Sequence, residues 1–209
     1  KSLPKSKRDV NKRKEKKNKE IIKEAKKFGK LYFDGNRKYG YGGYYDDGRW
    51  IKVAQNIINY YKLNKGSKIL DIGCAKGFLV KELNNLGMNA FGIDISKYAI
   101  SKSPEPVKKK LTVSNLLSIP FKNNTFDLVL CINTLHNLSK KNCEKGIIEI
   151  LRVGKKKFYL QVDSYYNSKQ KKLFLDWVLT AQYHDYPNEW RKLFKKTGYN
   201  YDYNWTILK

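Results

Sequence analysis

The chain has 209 residues, enough to bury one substantial core, so one principal domain with an N-terminal extension is expected. Lys and Arg number 44 against 19 Asp and Glu, a formal charge of +25 that attracts polyanions and makes a nucleic-acid partner a class to weigh. Cys74, Cys131 and Cys143 are too few and scattered for a disulfide framework, no metal-ligand spacing joins them to the two histidines, and no apolar run is long enough to span a bilayer.

The basic excess is mostly lysine and runs along the whole chain, which fits biased composition better than a dedicated phosphate-reading surface. With no signal peptide ahead of the basic start, a reducing cytoplasm is the expected setting, and the start at Lys1 is expected of a processed or trimmed chain.

Residues 1–30 are dominated by charge. Ile21, Ile22, Ala25 and Phe28 give one weak apolar stripe, so a disordered basic arm running into a helix around Lys16–Lys27 is expected. Residues 31–50 combine five glycines and three aspartates with many tyrosines, a composition suited to a lid loop over a polar, ring-bearing ligand. Tyr44 and Arg49 are its candidate substrate contacts, and Arg37 and Arg49 could hold a phosphate or carboxylate. Residues 51–209 are then the principal domain, opened by a helix over Trp50–Tyr61.

The stretch Lys68–Phe78, K-I-L-D-I-G-C-A-K-G-F, organises the principal domain. Ile69, Leu70 and Ile72 predict a buried strand, Gly73 and Gly77 a tight turn, and Phe78, Leu79, Leu83 and Leu86 a helix stopped by Gly87. Glycines let a backbone approach a ligand closely, and the helix N-terminus offers it free N–H groups. A second strand, Asn89–Ile95, carries Asp94 at its tip, 21 residues beyond Gly73, where a carboxylate can bind both hydroxyls of a ribose.

Ser96 caps a short helix over Lys97–Ser101, and Leu111–Val113 is a third strand. Leu128–Asn133 is a fourth, followed by Thr134-Leu135-His136-Asn137-Leu138 and a helix over Lys140–Arg152. Lys156–Val162 is a fifth, with Asp163 at its tip. Helices over Lys169–Leu179 and Asn188–Lys196 precede a last strand within Gly198–Leu208, expected to be antiparallel.

The turn reads D-x-G-x-x-x-G rather than G-x-G-x-x-G. It resembles motif I of the class I S-adenosylmethionine-dependent methyltransferases, with Ala75 where that family usually has a third glycine. Ile119-Pro120-Phe121 and Thr125-Phe126-Asp127 are similar to the family's segment before strand four. The resemblance covers Trp50–Asp163 and implies a Rossmann-like, doubly wound, mostly parallel α/β sheet. The family's sheet has seven strands and six are predicted here, so either the C-terminal pair is shortened or one strand escapes the pattern.

The resemblance also carries specific implications for the site. Asp71, Gly73, Cys74, Ala75 and Gly77 would shape the cofactor loop, Asp94 and Ile95 would meet the ribose side, and Asn115 and Leu116 the adenine edge. Cys131 and Asn133 would lie by the sulfonium end. His136 is then the candidate base and Asp163 its orienting partner or an acceptor ligand, with Tyr165 and Tyr183 as further substrate contacts; no metal is expected. S-adenosylmethionine would be the cofactor and S-adenosylhomocysteine the product.

The flanks (Y-F-D-G, Y-G-Y-G-G-Y-Y-D-D-G-R-W, I-N-T-L-H-N-L and T-A followed by E-W) resemble small bacterial methyltransferases of surface-carbohydrate or nucleotide-sugar biosynthesis, including capsule modification. A small-molecule acceptor is therefore expected. RNA docked on the basic arm and a non-catalytic cofactor-binding module are the alternatives.

Overall fold

A computed structural model describes residues 8–208. In chain order the elements are α1 (Val10–Lys16), α2 (Lys19–Ala25), α3 (Lys30–Asp34), α4 (Arg49–Tyr61), β1 (Lys68–Ile72), α5 (Phe78–Asn85), β2 (Asn89–Asp94), α6 (Lys97–Ser101), α7 (Glu105–Lys108) and β3 (Leu111–Val113). After them come β4 (Phe126–Ile132), α8 (Lys140–Val153), β5 (Gly154–Asp163), α9 (Ser168–Trp177), α10 (Pro187–Lys196) and β6 (Asp202–Thr206). The six strands form one sheet in the order β3-β2-β1-β4-β5-β6, the doubly wound, Rossmann-like pattern of the class I methyltransferase fold. The pairs β1–β2, β2–β3 and β5–β6 are parallel.

The last strand is therefore parallel to β5, not antiparallel as expected. Its register runs from Tyr159 opposite Asp202 to Asp163 opposite Thr206. Two helices, α9 and α10, lie in the connection, and a crossover of that length returns a strand in the same direction as its neighbour. Among the described residues the sheet has six strands, one fewer than the seven of the family it resembles.

The chain gathers into two compact units. One holds Tyr45–Leu130 and Glu149–Phe158. Its core is the apolar run of β1 with its neighbours, in which Ile69, Leu70, Val80, Leu83 and Leu128 are fully buried. The Pro-Phe turn is pinned by Arg152, whose guanidinium donates to the carbonyls of Phe121 (2.7 Å) and Ile119 (2.9 Å) and is held by Glu149 (2.7 and 2.8 Å).

The other unit holds Arg8–Tyr44, Cys131–Ile148 and the chain from Tyr159 onward. Its core centres on Trp190, Leu193 and Phe194 of α10 and on Tyr165, Phe174 and Leu208. The helix expected around Lys16–Lys27 is α2, begun at Lys19 because the Asn18 side chain accepts from Ile21 N, whereas part of the arm expected to be disordered forms α1. The expected lid contains α3, which Gly29 and Gly35 bound. The first part of the expected basic arm lies outside the described residues. No helix among the described residues is long and apolar enough to cross a membrane.

Candidate active site

In the first unit, the glycine turn leaves β1 and is tied at once to β2: the backbone N–H groups of Gly73 (2.8 Å) and Cys74 (3.1 Å) both donate to Ile93 O. Gly73, Ala75 and Gly77 have φ of 76°, 51° and 74°. Three left-handed residues at alternate positions curl the loop, and Gly77 caps α5. A Cβ on Gly77 would stand 2.5 Å from Leu111 Cδ1, so glycine is required there both by conformation and by the approach of β3. Ala75 occupies its position with strain that a glycine would not feel.

Asp94 closes the cradle. One carboxylate oxygen accepts from Ala75 N (2.8 Å) and the other from Ser96 N (2.8 Å), so a single residue holds the turn and starts α6. Each oxygen keeps a second lone pair, the capacity needed to accept from two vicinal hydroxyls. Burial raises the Asp94 pKa, opposed by these two backbone donors. Behind it Asp71 is buried, its pKa pushed up to about 7 by burial first and by the charge of Asp94 second.

Ile95, next to Asp94, is 58 % exposed, a large apolar side chain presented to solvent at the end of a strand. Asn115 is exposed and its Oδ1 accepts from Leu117 N (2.9 Å), leaving its amide donors free, while Leu116 is buried. Cys74 is buried and its thiol is held far above the usual range, chiefly by burial, which makes it inert. Arg49 is exposed and paired with Asp47.

The second unit carries the other predicted residues. Cys131 is fully buried at the end of β4. Asn133 follows with φ 53°, its N–H donating to Gln161 O (2.8 Å). Its Oδ1 accepts from Thr206 Oγ1 (2.7 Å), which in turn accepts from Gln161 Nε2 (2.7 Å). A 3₁₀ turn over Leu135–Asn137 then buries His136.

Both ring nitrogens of His136 meet one residue. Nδ1 accepts from Asp163 N (3.0 Å), and Nε2 lies 3.3 Å from Asp163 Oδ2. In that tautomer the ring's lone pair is spent on a peptide N–H and its proton faces the carboxylate. The imidazole and the Asp163 carboxylate thus hold one another in place. Trp190 Nε1 donates to Asp163 O (3.2 Å) and completes the support.

Tyr183 lies beside this group through its N–H, which donates to His136 O (3.1 Å). Its hydroxyl and Asn137 Oδ1 are buried with no hydrogen-bond partner among the described residues. Burial pushes the Tyr183 pKa up, so the phenol stays a neutral donor. Tyr165 is a core side chain, 2 % exposed, with its hydroxyl 3.3 Å from His184 Nδ1. Tyr44 packs against Tyr41, ring centres 4.7 Å apart, and its N–H is held by Asp34 (3.2 Å). Thr206, Gln161 and Trp190 do not stand out in the sequence. Gln161 alone gives a hint, as a polar residue inside an apolar strand.

The strand order and flanking helices are those of the class I methyltransferase fold. Residues 70–160 match the family model described as "Methyltransferase domain". An uncharacterized protein of Methanocaldococcus jannaschii is 35% identical over 104 residues, 48% of this chain and 42% of that protein. The ubiquinone biosynthesis O-methyltransferase of Pelagibacter ubique is 29% identical over 159 residues, 64% of this chain and 65% of that enzyme. A Bacillus halodurans C-125 protein assigned as a methyltransferase superposes with a TM-score of 0.55 at 13% identity, covering 69% of this chain and 68% of that one, a likeness of fold. The chain spans about half the length or less of the first two relatives, 42% and 51%.

S-adenosylmethionine is the cofactor of this domain class, with S-adenosylhomocysteine as product. The residues present fit it: the cradle at Gly77 has no room for a side chain, and Asp94 keeps two acceptor sites.

Proposed function

We propose that the protein is an S-adenosylmethionine-dependent methyltransferase acting on a small polar acceptor, a nucleotide-activated sugar or a related phosphorylated carbohydrate precursor of surface polysaccharide. The Asp94 carboxylate, held by Ala75 N and Ser96 N beside a left-handed glycine turn, carries the cofactor half of this reading, and the acceptor half rests on the resemblance of the flanking segments. S-adenosylmethionine supplies a methyl group on a sulfonium already primed to leave.

The residues of the chain would do the rest. Gly73, Ala75 and Gly77 shape the cradle, Asp94 accepts from the ribose hydroxyls with Ile95 on the same side, and Asn115 and Leu116 meet the adenine. A hydroxyl acceptor has to lose its proton, and Asp163, oriented by His136, is the group to take it. Tyr183 has a buried hydroxyl with a donor to offer an acceptor. A reducing cytoplasm suits three cysteines buried in the core.

Calorimetry with S-adenosylhomocysteine tests the cofactor half. Binding should be lost by about tenfold to a hundredfold in Asp94→Ala, since hydrogen bonds to a charged group contribute about 1.5–3 kcal/mol. Absence of heat with the native protein, or an unchanged affinity in the variant, overturns the reading.

The +25 charge favours a second reading, with RNA as acceptor. It predicts a steep loss of activity on RNA as salt rises.

A further inference from the structure

Far along the sequence from the glycine turn, the second unit gathers three arginines around one indole. The guanidinium carbon of Arg13, from α1, lies 4.0 Å from the ring centre of Trp177 at the end of α9. Those of Arg37 and Arg8 lie at 5.3 and 6.0 Å. Arg13 is 8% exposed, Arg8 is half-buried and Arg37 is open to solvent.

Part of this is scaffolding. Arg13 Nη2 donates to the carbonyls of Arg37 and Gly40, each at 2.8 Å, and Arg37 Nη1 donates to those of Gly40 (3.2 Å) and Tyr41. These bonds occupy one nitrogen on each guanidinium. The remaining N–H groups of both, and all those of Arg8, have no acceptor among the described residues. Nor does any of the three pair with a carboxylate there: Asp176, the acid next to Trp177, is held by Lys14 (3.4 Å).

Three like charges therefore converge where water is partly excluded. Burial first and the charge of Arg37 second bring the Arg13 pKa down to about 10, the mark of a cation lacking its counter-charge. An arrangement of this kind costs free energy unless an anion completes it. Several guanidinium forks with donors to spare match a tetrahedral, multi-oxygen anion better than they match a two-oxygen carboxylate.

We propose that Arg8, Arg13 and Arg37, assembled on Trp177, form a binding site for the phosphate or diphosphate group of a small phosphorylated ligand. The convergence of all three on one side chain suits a compact anion, whereas a polymer would be tracked by a solvent-facing strip of lysines. That this ligand is the methyl acceptor rests on the function proposed above; the anion site itself does not.

The test is calorimetry of the full chain with inorganic pyrophosphate and, separately, with orthophosphate, at about 50 mM salt. Pyrophosphate should bind, and Arg8→Gln and Arg37→Gln should each weaken it by about tenfold. Arg37→Lys, which keeps the charge but loses the fork, should fall in between. Tighter binding of pyrophosphate than of orthophosphate assigns the site to a diphosphate. Arg13 is left in place, since it is buried and holds the loop; Arg37 holds the loop as well, so Arg8→Gln is the variant that reads the anion site without disturbing that scaffold.

S-adenosylhomocysteine binding is measured on the same variants and should not change. If it persists while pyrophosphate gives no heat, or while the Arg8→Gln/Arg37→Gln pair binds pyrophosphate as the native chain does, the anion site is overturned and the cofactor reading stands. A single-stranded RNA decamer that binds, and is lost in that double variant, with pyrophosphate silent, overturns it in favour of nucleic acid.

Discussion

At the residue scale, Ala75 shows how one side chain can strain a ligand loop. It sits at φ 51°, where an L-residue with a Cβ is disfavoured by roughly 1–2 kcal/mol. Ala75→Gly should relieve that strain while adding about 0.4–1 kcal/mol of unfolded-state entropy. The expected balance is a rise in Tm of about 2 °C, read by differential scanning calorimetry. A fall would show that the methyl group packs usefully in the folded loop.

Asp71 gives the fold a pH dependence with a definite sign. Its folded pKa, about 7, lies above that of an unfolded aspartate, near 4. Between those values the folded chain keeps a proton that the unfolded chain has lost, so this residue's contribution to stability falls as pH rises through the window. The loss is at most about 4 kcal/mol. Asp71→Asn should flatten the slope, so that urea midpoints at pH 5 and pH 8 differ less in the variant than in the native chain.

His136 and Asp163 are both visible in the sequence as polar residues near strand tips, but their division of labour is not. It depends on which ring nitrogen meets a backbone N–H 27 residues away, a fact of tertiary geometry. With a labelled methyl donor and an acceptor fraction, Asp163→Asn should lower kcat by about a hundredfold or more. His136→Gln should lower it less. Equal losses, or a larger one in His136→Gln, would return the base to His136.

At the scale of elements, local signals are legible and pairing is not. β1, α5 and β2 announce themselves because apolar runs, glycines and Asp94 are close in sequence and consistent with one another. α3 is hidden among glycines and tyrosines, and α1 among charged residues that read as a disordered arm. The direction of β6 cannot be read at all, because its partner is fixed by a crossover.

Two substitutions test what positions these elements. Gly77→Ala would drive a Cβ into Leu111 at a left-handed position and should cost about 2–4 kcal/mol in urea unfolding. Thr206→Val would strand the buried Gln161 Nε2, while the exposed Asn133 Oδ1 can turn to water, and should cost about 1–3 kcal/mol.

At the scale of the molecule, charge dominates. Even if every acidic residue were paired, 44 less 19 leaves 25 basic groups without a partner. Surface pairs such as Lys196–Glu144 (2.9 Å) and Lys155–Asp127 (2.8 Å) offset little of this. Added salt should therefore stabilise the fold by screening its self-repulsion, with Tm rising between about 0.05 and 0.5 M sodium chloride. The composition announces this property directly, whereas the convergence of Arg8, Arg13 and Arg37 on Trp177 spans the sequence too widely to be read from it.

Because β6 runs alongside β5 in the same direction, polypeptide continuing past Thr206 departs next to Asp163 instead of from the opposite rim. Under the function proposed above, a fusion partner or immobilising handle tethered downstream would be held near that end of β5, and bulky acceptors would feel the obstruction first.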